Sequence, residues 1–290
     1  MCDLTGTREN LMDEMERKGL SFGYTDPVAR LLILGAPKCG PHPWDDYTAL
    51  GFDAGQVPEL VRMVSDERLN NAQSDSTEVW APLHAWRTLA QLRAEEAIEP
   101  ILALAHRIDG EDDDWINEDL PGVMGLIGPA AIPSLEAYLK NTSNGEWARV
   151  AVIECFTAIG TQYPETRLNC VAVLTRQLEC LDENGEEVNS FLVSALADLN
   201  AVESAPVMER AFAEHAVDFS LRGDWEEVQI DMGLLKERIT PRPRTWFDFG
   251  DASTVRAGGK QHYPVQNVKS GGKKKGKKAQ KQARKKNRHK

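Results

Sequence analysis

No stretch of this chain is long and apolar enough to cross a membrane as a helix. The apolar runs stop early, as in Leu31-Leu32-Ile33-Leu34, where a span needs ~18 residues. The opening Met1-Cys2-Asp3-Leu4 lacks the basic-then-apolar pattern of a secretory signal. A cytoplasmic protein is the expectation. Cysteine is scarce, and Cys2, Cys39, Cys155, Cys170 and Cys180 form no C-x2-C pair. An odd, scattered set argues for reduced thiols and against a disulfide framework. Cys39 and His42 make a C-x2-H half-site with no second half to complete it. A metal site needs several converging ligands, so neither a metal nor a cofactor is expected. Cys155, Cys170 and Cys180 read instead as small hydrophobes on the apolar faces of adjacent helices.

Acidic residues are missing from the C-terminal stretch, where bases are dense. Residues 269–290 hold 12 Lys/Arg and no Asp or Glu, whereas residues 1–268 hold 22 bases against 45 acids. The overall charge of −11 therefore divides into a body of −23 and a tail of +12. Such asymmetry marks an interaction tail on a folded body. Lys273, Lys274, Lys275, Lys277, Lys278, Lys281, Arg284, Lys285, Lys286, Arg288 and Lys290 are the candidate phosphate contacts. Attraction of this kind is electrostatic and independent of sequence. The tail lacks the aromatics that stack on single-stranded bases. An acidic protein, or the chain's own acidic body, is the rival partner for it.

What the body does have is a repeat. Helix-opening phrases recur at Val57, Ala97, Ala131, Leu168 and Ala205, spaced by 40, 34, 37 and 37 residues. That period is the mark of stacked helical pairs. Prolines fall near these openings, where a missing N–H costs nothing; in a helix interior each would cost ~3 kcal/mol. Tryptophans mark the first helix of each pair: Trp44, Trp80, Trp115 and Trp147, at intervals of 36, 35 and 32 residues. The clearest unit predicts helices over 94–106, 112–127 and 130–140, with a break at Gly128-Pro129. Capping boxes are expected at Asp75-Ser76-Thr77-Glu78 and Ser143-Asn144-Gly145-Glu146. Carboxylates in Glu111-Asp112-Asp113-Asp114 suit a helix N-terminus. Helix 146–159 is apolar on most sides, with Glu146, Arg149, Glu154 and Thr157 as its polar stripe.

The expected fold is all-α, a right-handed solenoid of about five helical pairs over residues 43–240. Residues 1–42 form a helical cap and loop, with a first helix over 7–18 and a short helix opening at Asp26-Pro27. Residues 241–268 are a linker, or a lid carrying Trp246 and Phe247. Residues 269–290 are a disordered basic tail.

Two phrases, Pro82-Leu83-His84-Ala85-Trp86-Arg87 and Ile127-Gly128-Pro129-Ala130-Ala131-Ile132-Pro133, resemble HEAT-like repeats of the phycobilisome-lyase type. The later stretch from Ala201 to Val228 resembles a family of uncharacterised bacterial proteins. Many of those combine such repeats with a C-terminal cysteine-rich SEC-C zinc motif. This chain has no cysteine after Cys180, so that zinc site is not expected. HEAT-like repeats can also hold a di-iron centre through His-Glu pairs, but no histidine here is followed by glutamate.

Stacked repeats present an extended surface, which favours binding over catalysis. The expected function is a non-enzymatic scaffold for a protein or peptide, tethered by its tail to RNA or the ribosome. Trp44, Trp80, His84, Trp115 and Trp147 are the candidate contacts. Trp80 and His84 are i, i+4 neighbours, which suits a ligand ridge but more often means packing between repeats. The resemblance leaves open a tetrapyrrole (bilin) lyase or chaperone, and a DNA-binding or repair protein. The acidic body argues against the second.

Overall fold

A computed structural model describes residues 22–37 and 44–242. The chain divides after Pro243, and every described residue lies in the first unit. The expected helix over 7–18, the Cys39–His42 half-site, the 243–268 linker and the basic tail lie outside the described residues. All regular structure among the described residues is helical.

Six short 3-10 turns among the described residues each run straight into an α-helix, and one of them, Glu78–Trp80, precedes the helix Ala81–Gln91. Ala54–Gln56 leads into α1 (Val57–Val64), Glu95–Ala97 into α4 (Ile98–Leu102) and Pro129–Ala131 into α7 (Ile132–Lys140). Pro164–Thr166 leads into α9 (Arg167–Leu178), and Val202–Ser204 into α12 (Ala205–Ala213). The sequence anchors at Val57, Ala97, Ala131, Leu168 and Ala205 all fall at these joins. Pro58, Pro133 and Pro206 occupy the first turn of α1, α7 and α12, where ring geometry suits the helix start.

The partner helices are α3 (Ala81–Gln91), α6 (Asp114–Ile127), α8 (Glu146–Gln162) and α11 (Glu186–Asp198), with a short α13 (Trp225–Asp231). Short pieces complete the order: α2 (Glu67–Asn70), α5 (His106–Gly110) and α10 (Leu181–Asn184). Helices α3, α6, α8 and α11 pack one on the next, and so do α1, α4, α7, α9 and α12. At Gly128 the chain turns by 113° between α6 and α7. Its φ of 95° is a left-handed value that favours glycine. The Tyr163 ring closes on the same spot, so a Cβ there would sit 2.7 Å from it. Deep in the stack, Phe156 of α8 is fully buried, as are Val152, Ile153 and Ile159.

Several local expectations are corrected. Trp44 opens no helix: Asp46 binds the Thr48 hydroxyl and the Ala49 N–H, so a self-contained turn occupies 47–50. A 3-10 helix, Val28–Ile33, packs on α3 instead. The helix expected over 94–106 breaks after Leu102, where hydrogen bonds tighten to the three-residue spacing. Thr77 makes no side-chain cap, and neither does Gly145. Asp113 does cap α6, accepting from Trp115 and Ile116 N–H.

Candidate functional site

Two buried polar clusters hold the helices in register. In the first, Asp119 of α6 accepts from Trp86 Nε1 at 2.8 Å, Arg87 Nε at 2.6 Å and Arg87 Nη2 at 2.8 Å. Arg87 and Asp119 are only 4% and 6% exposed. A fork of this kind is geometrically specific, and it fixes α3 against α6. The Arg87 guanidinium also lies 4.9 Å from the centre of the Trp44 ring. That contact gives Trp44 its place, half-buried and away from the other tryptophans.

His84 belongs to this interior. It is 2% exposed, so a partner cannot touch its ring directly. Its Nε2 lies 2.9 Å from the Gly35 carbonyl, which can only accept, so Nε2 carries the hydrogen. Nδ1 then accepts from the Tyr47 hydroxyl at 2.6 Å. Burial pushes the imidazole below its ordinary value of 6.5, against the carbonyl bond that favours the charged form. Burial likewise raises Tyr47. Both groups are neutral, and the chain of hydrogen bonds is structural.

The second cluster is built on Arg149, expected on an outer stripe of α8 but only 3% exposed. Its Nε donates to the Leu139 carbonyl at 2.9 Å and its Nη2 to Asn184 Oδ1 at 2.9 Å. Gln177 donates to that same Oδ1, and Asn184 Nδ2 donates to Asn189 Oδ1 and the Gln177 carbonyl. Desolvation lowers the guanidinium's hold on its proton. Carbonyl and amide oxygens take the place of a counter-ion here.

The tryptophans at the first turns form an edge. Trp80 and Trp115 meet edge-to-face at 4.8 Å and 87°, a contact worth ~0.5–1.5 kcal/mol. Trp147 is 44% exposed and meets Phe191 of α11 at 6.1 Å and 80°. Its backbone is anchored from a distance: Asp109 of α5 accepts from Trp147 N–H at 3.0 Å and Ala148 N–H at 2.9 Å. Asp109 thus supplies the cap that the Ser143–Glu146 phrase was expected to make. The helix starts therefore carry two ring pairs, Trp80 with Trp115 and Trp147 with Phe191, and neither includes Trp44 or His84. Nothing in the local spacing around Phe191 singled it out, because its partner lies 44 residues away.

Cys155 and Cys170 are buried, whereas Cys180 is exposed, contrary to the expectation of three buried thiols. Cys180 lies outside because it precedes α10 and does not face the core. Burial raises the Cys170 thiol to about 11 and the Cys155 thiol well above its usual range. Both are unreactive protonated thiols at neutral pH. An open groove runs past Val57, Val61, Leu92, Arg93 and Glu96.

A family model described as "Protein of unknown function (DUF1186)" matches residues 53–243. The chain matches no curated protein and no solved structure.

Proposed function

The chain belongs to the DUF1186 family of proteins of unknown function, and we propose that it is a non-enzymatic scaffold. In this reading its helical pairs are HEAT-like repeats of a right-handed solenoid. The two rows of successively packed helices support that architecture, as does the recurrence of a 3-10 turn before each second helix. One face of the stack holds a protein or peptide, and the basic tail brings it to RNA or the ribosome.

The observation that carries the binding half is the edge of Trp115 and Trp147. Trp147 is 44% exposed although the residues that follow it on α8, Ala148, Arg149 and Val150, are buried. Tryptophan with a fixed ring is a frequent anchor in interfaces. The tail half rests on 12 bases without an acid in residues 269–290, which attract phosphate with strong salt dependence.

Affinity capture from lysate separates the two halves. The full chain is compared with a chain ending at Asn267, each with and without RNase. Ribosomal or RNA-linked proteins captured by the full chain alone, and lost with RNase, are the expected result for the tail. The same RNA-linked proteins held by both chains would refute the tether.

A further inference from the structure

The scaffold reading leaves the partner's chemistry open, and the edge around Trp147 narrows it. Trp147 packs on Phe191. The next loop lies alongside α11: Asp218 N–H donates to Ser190 Oγ at 2.8 Å, and Arg222 to the Ser194 carbonyl at 3.1 Å. On that loop Phe219 and Leu221 are 43% and 44% exposed. Trp147 and Phe191 thus meet at α11, and Phe219 and Leu221 are carried by the loop tied to the same helix. Exposed apolar groups gathered in this way mark interaction surfaces.

Beside this strip the one cation on the loop, Arg222, is paired with Asp198 and Asp231, and the charge left without a partner is acidic. Residues 179–187 hold five acids and no base. Glu146, Asp182, Glu183 and Glu186 are exposed and form no ion pair among the described residues. Other carboxylates of the body do meet cations: Asp66 with Arg68, Glu136 with Lys140 and Arg176, Glu203 with Arg167. The exposed apolar residues at the second-helix starts, Leu168 and Val202, are each next in sequence to a member of the Arg167–Glu203 ion pair. Helix dipoles account for one carboxylate at each N-terminus, but not for the apolar strip beside them. A phosphate backbone would be repelled here.

We propose that the Trp147–Phe191–Phe219–Leu221 strip docks a cationic amphipathic segment of a partner protein, with Lys or Arg alternating with apolar side chains. The apolar side chains cover the strip. The cations meet Glu146, Asp182, Glu183 and Glu186, and one of them lies over the exposed indole face. Complementary charge of this kind sets specificity and speeds encounter. The proposal rests on the scaffold reading and adds the partner's charge and pattern to it.

Fluorescence anisotropy with the full chain tests it. The probes are a labelled twelve-residue peptide of lysine and leucine in amphipathic order, its glutamate-for-lysine counterpart, and dodecalysine. The Lys/Leu peptide is expected to bind. Trp147→Ala and the double change Glu183→Lys with Glu186→Lys should each weaken it roughly tenfold or more, with melting curves confirming that the variants fold. Equal binding of dodecalysine, or binding indifferent to both variants, would reduce the effect to general attraction by an acidic body and overturn the proposal. Binding of the Glu/Leu peptide through Trp147 would overturn the cationic assignment while leaving the scaffold intact. Absence of binding by all three probes would overturn the proposal alone; the scaffold reading falls separately, if Trp147→Ala leaves partner capture unchanged.

Discussion

His84 shows how one residue's surroundings set its chemistry. Its imidazole faces Tyr47 and the Gly35 carbonyl, with Arg87, Asp45 and Asp119 as the nearby charges. Burial holds its pKa below 6.5 in the folded protein, so the unfolded chain takes up a proton that the folded chain refuses. Stability is therefore fully present above pH 6.5 and declines as pH falls through that value towards the folded pKa. Thermal melts from pH 8 to pH 5 should show this decline, and His84→Gln should flatten it. Arg87 makes a second test. Arg87→Ala leaves Asp119 buried without its partner and should cost about 3–5 kcal/mol in urea unfolding. Replacing both, as Arg87→Met with Asp119→Leu, should cost distinctly less. Neither cluster was legible in the sequence, because the contacts that join one repeat to the next, Arg87–Asp119, Arg149–Asn184 and His84–Gly35, span 32, 35 and 49 residues. Helical spacing reports which face a residue shares, not what the next repeat brings to it. Arg149 was misplaced for the same reason: a polar residue on α8 reads as solvent-facing until Asn184 and Leu139 are seen around it.

At the scale of elements, the joins between helices were the most legible part. A proline within the first turn of a helix has one favourable reading, and the joins at α1, α7 and α12 follow from it. Caps were less legible, since an Asp far along the chain can replace a local one. Asp109 caps α8 from α5, and Gly145 leaves it room: a Cβ on Gly145 would lie 2.0 Å from Asp109 Oδ2. Asp109→Ala should cost about 0.5–2 kcal/mol, the usual worth of a cap. Gly145→Ala displaces the same carboxylate and should cost a comparable amount. The double variant should then cost little more than either single one, because both remove the same cap. Full additivity in denaturant titrations would show that Gly145 has another role. The first pair escaped the repeat rule because Asp46 ties the Trp44–Leu50 segment into a turn. A tryptophan at the expected interval gives no notice of that.

Over the whole molecule, charge and apolar exposure are unevenly placed. The carboxylates near Arg68, Arg167 and Arg238 are paired, whereas residues 179–187 carry acids alone. Acid should act on the paired sites first in kind. The Arg68 guanidinium and the Tyr24 hydroxyl hold Asp66 at about 2. The stability it adds is present above its ordinary 3.8 and is lost as pH falls through that low value. Asp66→Asn should therefore lessen the loss of stability between pH 4 and pH 2, read by circular dichroism. The candidate edge was half legible: the tryptophan rhythm pointed to Trp80, Trp115 and Trp147. The packing of Trp147 against Phe191, and the removal of Trp44 and His84 from the edge, needed the three-dimensional arrangement.

The central claim is that Trp147 serves a partner and not the core. Trp147→Ala in the full chain tests it, with partner capture and melting temperature measured on the same preparation. Capture lost with Tm nearly unchanged is the expected result. Capture retained with Tm clearly lowered would make Trp147 a wedge between repeats and contradict the scaffold edge.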